Sequence, residues 1–559
     1  MKKLIKNINK TFLAIFVLAM SATGCGDFLD INKDPNNPTD AGLKLILPAV
    51  ESALFESLGN GSGGLSDLTS QFVHQTVQRN NSNFYLVTGD EFSIANAWPN
   101  LYSTTLMDIQ QMINKAEERQ SFHYLGVAQT LKAYTYSILV DVWGNAVYTE
   151  FGQGTANPFP KFDKGEVIYP KLFLLLDDAI ANLEKESTES INAQADFVYA
   201  GDEESWIKFA KSLKLKLYNN VRKTALYDAA AVEALIADED EMISDVAEGF
   251  RLKYDVSNNP ENRHPLFLQD YVQKNANYID PYFYLVMLGD FPNGTVLNPI
   301  LDGIEDPRIP YYFYNQLKSS EDPQNKTTSA YFDNFLSIWF ASLNIDPNEG
   351  FDQASSQTVV GLYPAGGAFD DGSGLTSGVA DKQNPGLGGA GYTRLLPYFA
   401  QLYTRAELSL MEGATGDPRD LFEQALNASF DELNDLAPNK LPATDPATDP
   451  DNNTNNDIED YVDAVMARYD AAADDEARLE LILTEKWIAS FGYSVDAYTD
   501  YRRTGYPLMF DPATDNNPLT ILNRAYPVSF PYFIDDLQIN PNADPQRNTA
   551  TDKVFWDVD

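Results

Sequence analysis

The sequence predicts a mainly α-helical protein in which tetratricopeptide-type helical hairpins support one large loop-rich insert. Three observations predict it. Apolar residues recur at spacings of three, four and seven over six stretches, which puts each set on one helix face. Two of those stretches are joined by the short turn Gly416-Asp417-Pro418, so they read as an antiparallel pair. Between Asn258 and Gly391 the periodicity stops and Gly, Pro, Asn and aromatic residues take over, the composition of ordered binding loops.

The chain opens with a basic stretch (Lys2, Lys3, Lys6, Lys10) followed by the apolar run Thr11 to Ala22. The small residues Ala22, Thr23 and Gly24 then precede Cys25. Basic, apolar and small-residue regions in that order make a secretory signal, and the run is too short for a permanent membrane span. Cys25 is the only cysteine, so no internal disulfide forms. A-T-G-C resembles a lipobox, in which cleavage precedes a cysteine that is then acylated. The expected organisation is a signal peptide at 1–24, a lipidated tether at 25–41, and one domain at 42–559. Within that domain, 258–391 and 438–460 are loop-rich inserts.

The first stripe is Tyr124, Val127, Leu131, Tyr134, Ile138 and Val142. Ile168 to Leu183 and Trp206 to Val221 carry the second and third. Leu396, Phe399, Tyr403, Ala406 and Leu410 form the fourth, and Phe422, Ala425, Leu426 and Phe430 the fifth. Leu479, Ile482, Leu483, Trp487 and Phe491 form the sixth. Hairpins of this kind stack into a shared core, although no clean 34-residue period is visible. Trp143, Trp206 and Trp487 lie on these stripes and are assigned to the core, and Arg502 and Arg503 to structural ion pairs.

Charge and motifs exclude several classes. A net charge of −41 repels nucleic acid and anionic lipid. The three histidines, His74, His123 and His264, have no metal-ligand spacing, and no GxSxG elbow occurs. Two GxGxxG matches, Gly59 to Gly64 and Gly386 to Gly391, follow no predicted strand, so they read as turns, the second opening a helix. An enzyme is the last reading, and no cofactor is expected.

Several blocks together resemble the SusD/RagB family of nutrient-binding outer-membrane lipoproteins, in the SusD-like 2 branch. They are DFLDINKDPNNPTDA after Cys25, YLGVAQTLKAYTYSILVDVWGNAVYTE from Tyr124, and SWIKFAKSLKLKLYNNVRK from Ser205. EDPRIPYYF from Glu305 and EKWIASFGYSVDAYTDYRRTGYP from Glu485 complete the set. In the ending RAYPVSFPYFIDDLQINPNA, Ser529 and Phe530 stand where the family often has a glutamate. The resemblance implies a SusD-like α/α superhelix and a cell-surface, lipid-anchored location. It also implies glycan capture for a SusC-like TonB-dependent transporter. A peptide-binding RagB-like role and a surface adhesin remain alternatives. The acid excess favours a neutral glycan.

Sugar capture needs flat aromatic faces beside short hydrogen-bonding side chains. Phe84, Tyr85 and Trp98 with Asn83 and Asn96 form one such set, near Asn80 and Asn81. Tyr278, Asp280, Tyr282, Trp339 and Tyr363 form another, and core packing is the competing reading for each aromatic. Asp449, Asp451, Asn453, Asn455, Asp457 and Asp460 fall at offsets 1, 3, 5, 7, 9 and 12, an alternation able to wrap calcium. Thr454 replaces the expected glycine, and a solvated acidic loop is the alternative.

Overall fold

The computed structural model describes residues 41–61, 63–79, 85–237, 239–291, 298–317, 330–332, 334–341, 356–370, 386–436, 454–511 and 524–558, with backbone alone at 330–332 and 454–457. Helices dominate. α1 (Leu43–Leu58) and α2 (Leu65–Phe72) come first. α3 (Phe92–Pro99) runs through a wider π-type turn, Asn100–Leu106, into α4 (Met107–Arg119). α5 (Phe122–Trp143), α6 (Gly165–Leu183) and α7 (Glu203–Asn220) pack side by side, and α8 (Ala229–Ile236) follows. α9 (Pro281–Leu288) lies in the loop-rich half. α10 (Tyr398–Glu412) and α11 (Pro418–Leu436) form the expected hairpin, extended by α12 (Thr454–Ala471), α13 (Asp475–Ala489) and α14 (Val495–Thr504).

All six predicted stripes fall on helices. Leu396, Val221 and Phe491 overrun them by a residue or two, because Leu396 ends a strand and the other two lie just past the last turn. Aspartates set several starts: Asp202, Asp280 and Asp474 accept from the Ser205, Tyr282 and Ala477 amides at 2.9 Å. Each satisfies an amide that the first helical turn leaves without a partner.

Among the described residues the strands form four two-stranded antiparallel ladders. β1 (Thr76–Val77) pairs with β3 (Tyr278–Ile279), and β2 (Phe250–Lys253) with β8 (Tyr392–Leu396). β4 (Phe313–Tyr314) pairs with β7 (Val359–Val360), and β5 (Ala330–Phe332) with β6 (Phe335–Ser337). The β2–β8 ladder brings together the two ends of the loop-rich stretch, so that stretch leaves the helical stack and rejoins it at one place.

Buried polar groups tie distant elements together. Asp141 on α5 accepts from Tyr169 of α6, from Asn220 Nδ2 of α7 at 3.0 Å, and from Trp556 Nε1 at 2.8 Å. Trp143 Nε1 donates to the Pro531 carbonyl, Trp206 Nε1 to Asp196, and Trp487 Nε1 to the Val73 carbonyl, at 2.8–2.9 Å. These indoles are fully buried, as expected, with each N–H satisfied.

Arg503 pairs with Glu407 and Asp500, and Arg222 reaches the same Glu407 at 3.0 Å. Burial pushes the Glu407 carboxyl up, but Arg503 and Arg222 outweigh it and hold the group well below the usual range. Arg502 differs from expectation. Its guanidinium lies 3.9 Å from the Tyr498 ring centre and donates to the carbonyls of Asp141, Val528 and Tyr498, with no carboxylate in ion-pair range among the described residues.

The acidic insert at 438–460 is shorter than expected, because α12 begins at Thr454. Its polar, acidic first turn is what a helix N-terminus favours, and it reads as loop when composition alone is weighed. No helix among the described residues is long and apolar enough to cross a membrane.

Candidate ligand-binding site

The loop-rich half centres on His74. It follows α2 in a left-handed conformation (φ +55°), a strained geometry for a residue with a Cβ. Its Nδ1 lies 2.9 Å from Asp280 Oδ2 and its Nε2 2.6 Å from the Tyr85 hydroxyl, with all three side chains buried. Asp280 also caps α9, so one carboxylate fixes both the helix start and the imidazole. Burial raises the Asp280 carboxyl above its ordinary range, and His74 partly offsets this.

Phe340, Tyr282 and Phe510 pack edge-on around the imidazole, with Phe340 at 4.6 Å between ring centres. Trp339 lies on Phe510 at 6.0 Å and 32°, and it is half-buried. The Ser337 hydroxyl donates to the Ile279 carbonyl, which pins the β5–β6 hairpin to β3, and Gln357 Nε2 donates to the Ala276 carbonyl just before β3. Arg79 is half-buried at the far side of β1, its Nη1 donating to the Lys274 carbonyl at 2.9 Å. A partly exposed indole on a rigid aromatic pedestal is the arrangement that stacks against an apolar ligand face.

The other predicted contacts fall elsewhere. Trp98 is 2% exposed, with Tyr102, Trp143, Tyr532 and Phe162 around it at 4.9–6.1 Å. Tyr363 is sandwiched between the Tyr312 ring at 5.0 Å and the Arg394 guanidinium at 4.2 Å. Tyr278 and Tyr282 are buried, and Tyr85 spends its hydroxyl on His74. With both ring faces taken by protein, none of these aromatics presents a surface to a sugar. Composition made them look like a binding set, and packing made them core. Asn96 is half-buried on α3. Asn80, Asn81, Asn83, Phe84 and Cys25 lie outside the described residues.

Asp449, Asp451 and Asn453 also lie outside them. Asn455, Asp457 and Asp460 fall on α12. No group of three His, Cys, Asp or Glu arranged for a metal occurs among the described residues.

The glycine motifs make turns. Gly61 and Gly63, both at positive φ, donate their amides to the Asp67 carboxylate at 2.6 and 2.9 Å, so the chain's own anion fills that nest. Burial pushes the Asp67 carboxyl up to about 6. Gly386 to Gly391 lead into β8, not a helix, and a Cβ on Gly386 would strike the Gly367 carbonyl. His264 is buried, accepts from the Leu266 amide, and is pushed down to about 3 by burial and then by Arg394. His123 pairs with Glu203 and faces the Lys185 carbonyl. Sequence reasoning missed the His74 hub, whose partners lie 206 and 11 positions away. Only Asp280-Pro281, a helix-start signal, marked it.

No curated protein matches the chain. A SusD/RagB family protein from Bacteroides thetaiotaomicron is 19% identical with a TM-score of 0.63, covering 93% of this chain and 99% of that one. A SusD homologue from Bacteroides uniformis is 20% identical with a TM-score of 0.63, covering 93% and 100%. A chitin-binding SusD homologue from Flavobacterium johnsoniae is 19% identical with a TM-score of 0.59, covering 92% and 95%. These are likenesses of fold. The model of the SusD-like family, described as starch-binding and associating with the outer membrane, matches residues 35–531, and the chain belongs to that family.

Proposed function

We propose that this chain is a cell-surface lipoprotein, anchored through Cys25, that captures a neutral oligosaccharide or polysaccharide and delivers it to a SusC-like TonB-dependent transporter. The observation that carries this reading is Trp339, half-buried on Phe510 beside the rigid His74 hub. The family description and the chitin-binding relative support a carbohydrate ligand. The net charge of −41 favours an uncharged one. Capture is noncovalent and without turnover: His74 is committed to Asp280 and Tyr85 in the interior, where it serves no substrate.

Affinity electrophoresis through gels loaded with neutral and anionic polysaccharides tests this. Retardation by a neutral glycan that is lost in Trp339→Ala is the expected result. Retardation that Trp339→Ala leaves untouched rejects the site. Membrane fractionation of Cys25→Ala tests the anchor, which predicts release into the soluble fraction.

A further inference from the structure

Away from the loop-rich half, an open cleft of about 530 Å³ lies where the end of α5, the start of α6 and the C-terminal segment meet. Its volume falls in the usual range of small-ligand sites, roughly 300–1,000 Å³. Two glycines let the walls approach. A Cβ on Gly144 would collide with the Arg547 guanidinium, and one on Gly165 would press on the Phe555 ring.

The walls are fixed in advance of any ligand. Arg547 Nε donates to the Ser529 hydroxyl at 2.8 Å and its Nη2 to the Lys553 carbonyl at 3.0 Å. Asn145 Nδ2 donates to Asp544 at 2.6 Å, and its Oδ1 accepts from the Gly165 amide. Gln546 clamps the Tyr532 backbone with two hydrogen bonds, at 2.7 and 2.8 Å. Such preorganisation removes ordering cost on binding.

The lining chemistry is mixed. Lys164, Arg547 and Lys553 are matched by Glu166, Asp544 and Asp552, so the cleft is electrically balanced on a chain of net charge −41. Phe555 is half-buried and offers apolar surface. The Tyr532 hydroxyl is buried against Arg547 and the Asn145 backbone, which line the cleft, and holds that wall in place. An aromatic face and interspersed cationic and anionic side chains with no net charge suit a polyhydroxylated, uncharged molecule better than an ion.

We infer that this cleft is a second saccharide-binding site, separate from the Trp339 platform, for one or two rings of a neutral glycan. This rests on the reading of the chain as a glycan-binding protein. A site on the helical side gives a polymer a second point of attachment, and two linked contacts bind far more tightly than either alone.

Isothermal titration with a panel of neutral hexasaccharides (malto-, cello-, xylo-, manno- and chito-) tests it, using wild type, Trp339→Ala, Lys164→Ala and the double variant Lys164→Ala/Phe555→Leu. Circular dichroism checks folding. Lys164 is exposed, so its variant stays interpretable if the double variant unfolds. The expected result is two sites per chain for the glycan that binds. One should survive Trp339→Ala and weaken roughly tenfold in the cleft variants. A single site, abolished by Trp339→Ala and unmoved by the cleft variants, overturns the inference and leaves the proposed function standing. No binding to wild type by any of the panel overturns both.

Discussion

Arg308 and Glu485 lie 177 positions apart and meet at 2.7 Å with no solvent on either side chain. Asp306 completes the ion cluster at 2.6 Å, and Tyr461 donates to Glu485 at 2.6 Å. The pair joins the EDPRIPYYF segment to the C-terminal part of α13, so two blocks that mark the family touch in the core.

Replacing Arg308 by Met leaves Asp306 and Glu485 as buried carboxylates without their counter-charge. Breaking a buried pair from one side costs about 3–5 kcal/mol. Urea denaturation monitored by tryptophan fluorescence should show a loss of that size, with an exposed substitution elsewhere such as Lys164→Ala near zero.

Two tryptophans should separate cleanly. Trp98→Ala empties a core site and should cost about 3–5 kcal/mol, with glycan retardation preserved while the chain is folded. Trp339→Ala removes a half-buried ring, should cost less, and should abolish retardation. Equal stability losses, or lost binding in folded Trp98→Ala, would reverse the assignment of the two residues.

Acid should act on Asp67 and His264 in opposite directions. The folded Asp67 carboxyl sits at about 6 against an ordinary 3.8, so its favourable share is full below about 4 and is lost as pH rises through 6, at most about 3 kcal/mol. His264 sits at about 3 against an ordinary 6.5, so its share is full above 6.5 and is lost as pH falls toward 3. Asp67→Asn removes the first and keeps the second. Urea midpoints from pH 7 to pH 4.5 should therefore fall more steeply in Asp67→Asn than in wild type. Parallel curves would contradict the placement of Asp67 in its glycine nest.

Asp141→Asn turns one carboxylate oxygen into an N–H₂ and removes the charge, so the group faces the Tyr169 and Trp556 donors at the Oδ1 position or the Asn220 donor at Oδ2. Losing charge-assisted bonds of this kind costs about 1.5–3 kcal/mol each. Hydrogen exchange at the Trp556 indole should accelerate more than at Trp206, whose partner is Asp196.

The helical framework was legible because amphipathic stripes are local: α5, α6, α7, α10, α11 and α13 each carry their own pattern. α9 was not, because Tyr282, Phe283, Tyr284, Leu285, Val286 and Met287 are buried all round and show no period. The blocks that resemble the family turned out to hold buried polar contacts, such as Asp141, Arg308, Glu485 and Arg503. They report fold and leave ligand unspecified. Of the aromatics that the composition singled out, Trp339 is the one left partly exposed among the described residues. Trp98 and Tyr363 share its composition and differ in what covers them, which depends on residues far along the chain.

Asp141 receives Trp556 from 415 positions later. A ribosome delivers the acceptor long before the donor. The packed helices α5, α6 and α7 therefore stay one partner short through most of synthesis, with a buried carboxylate waiting. That buried network is complete only once the distal tryptophan has been made.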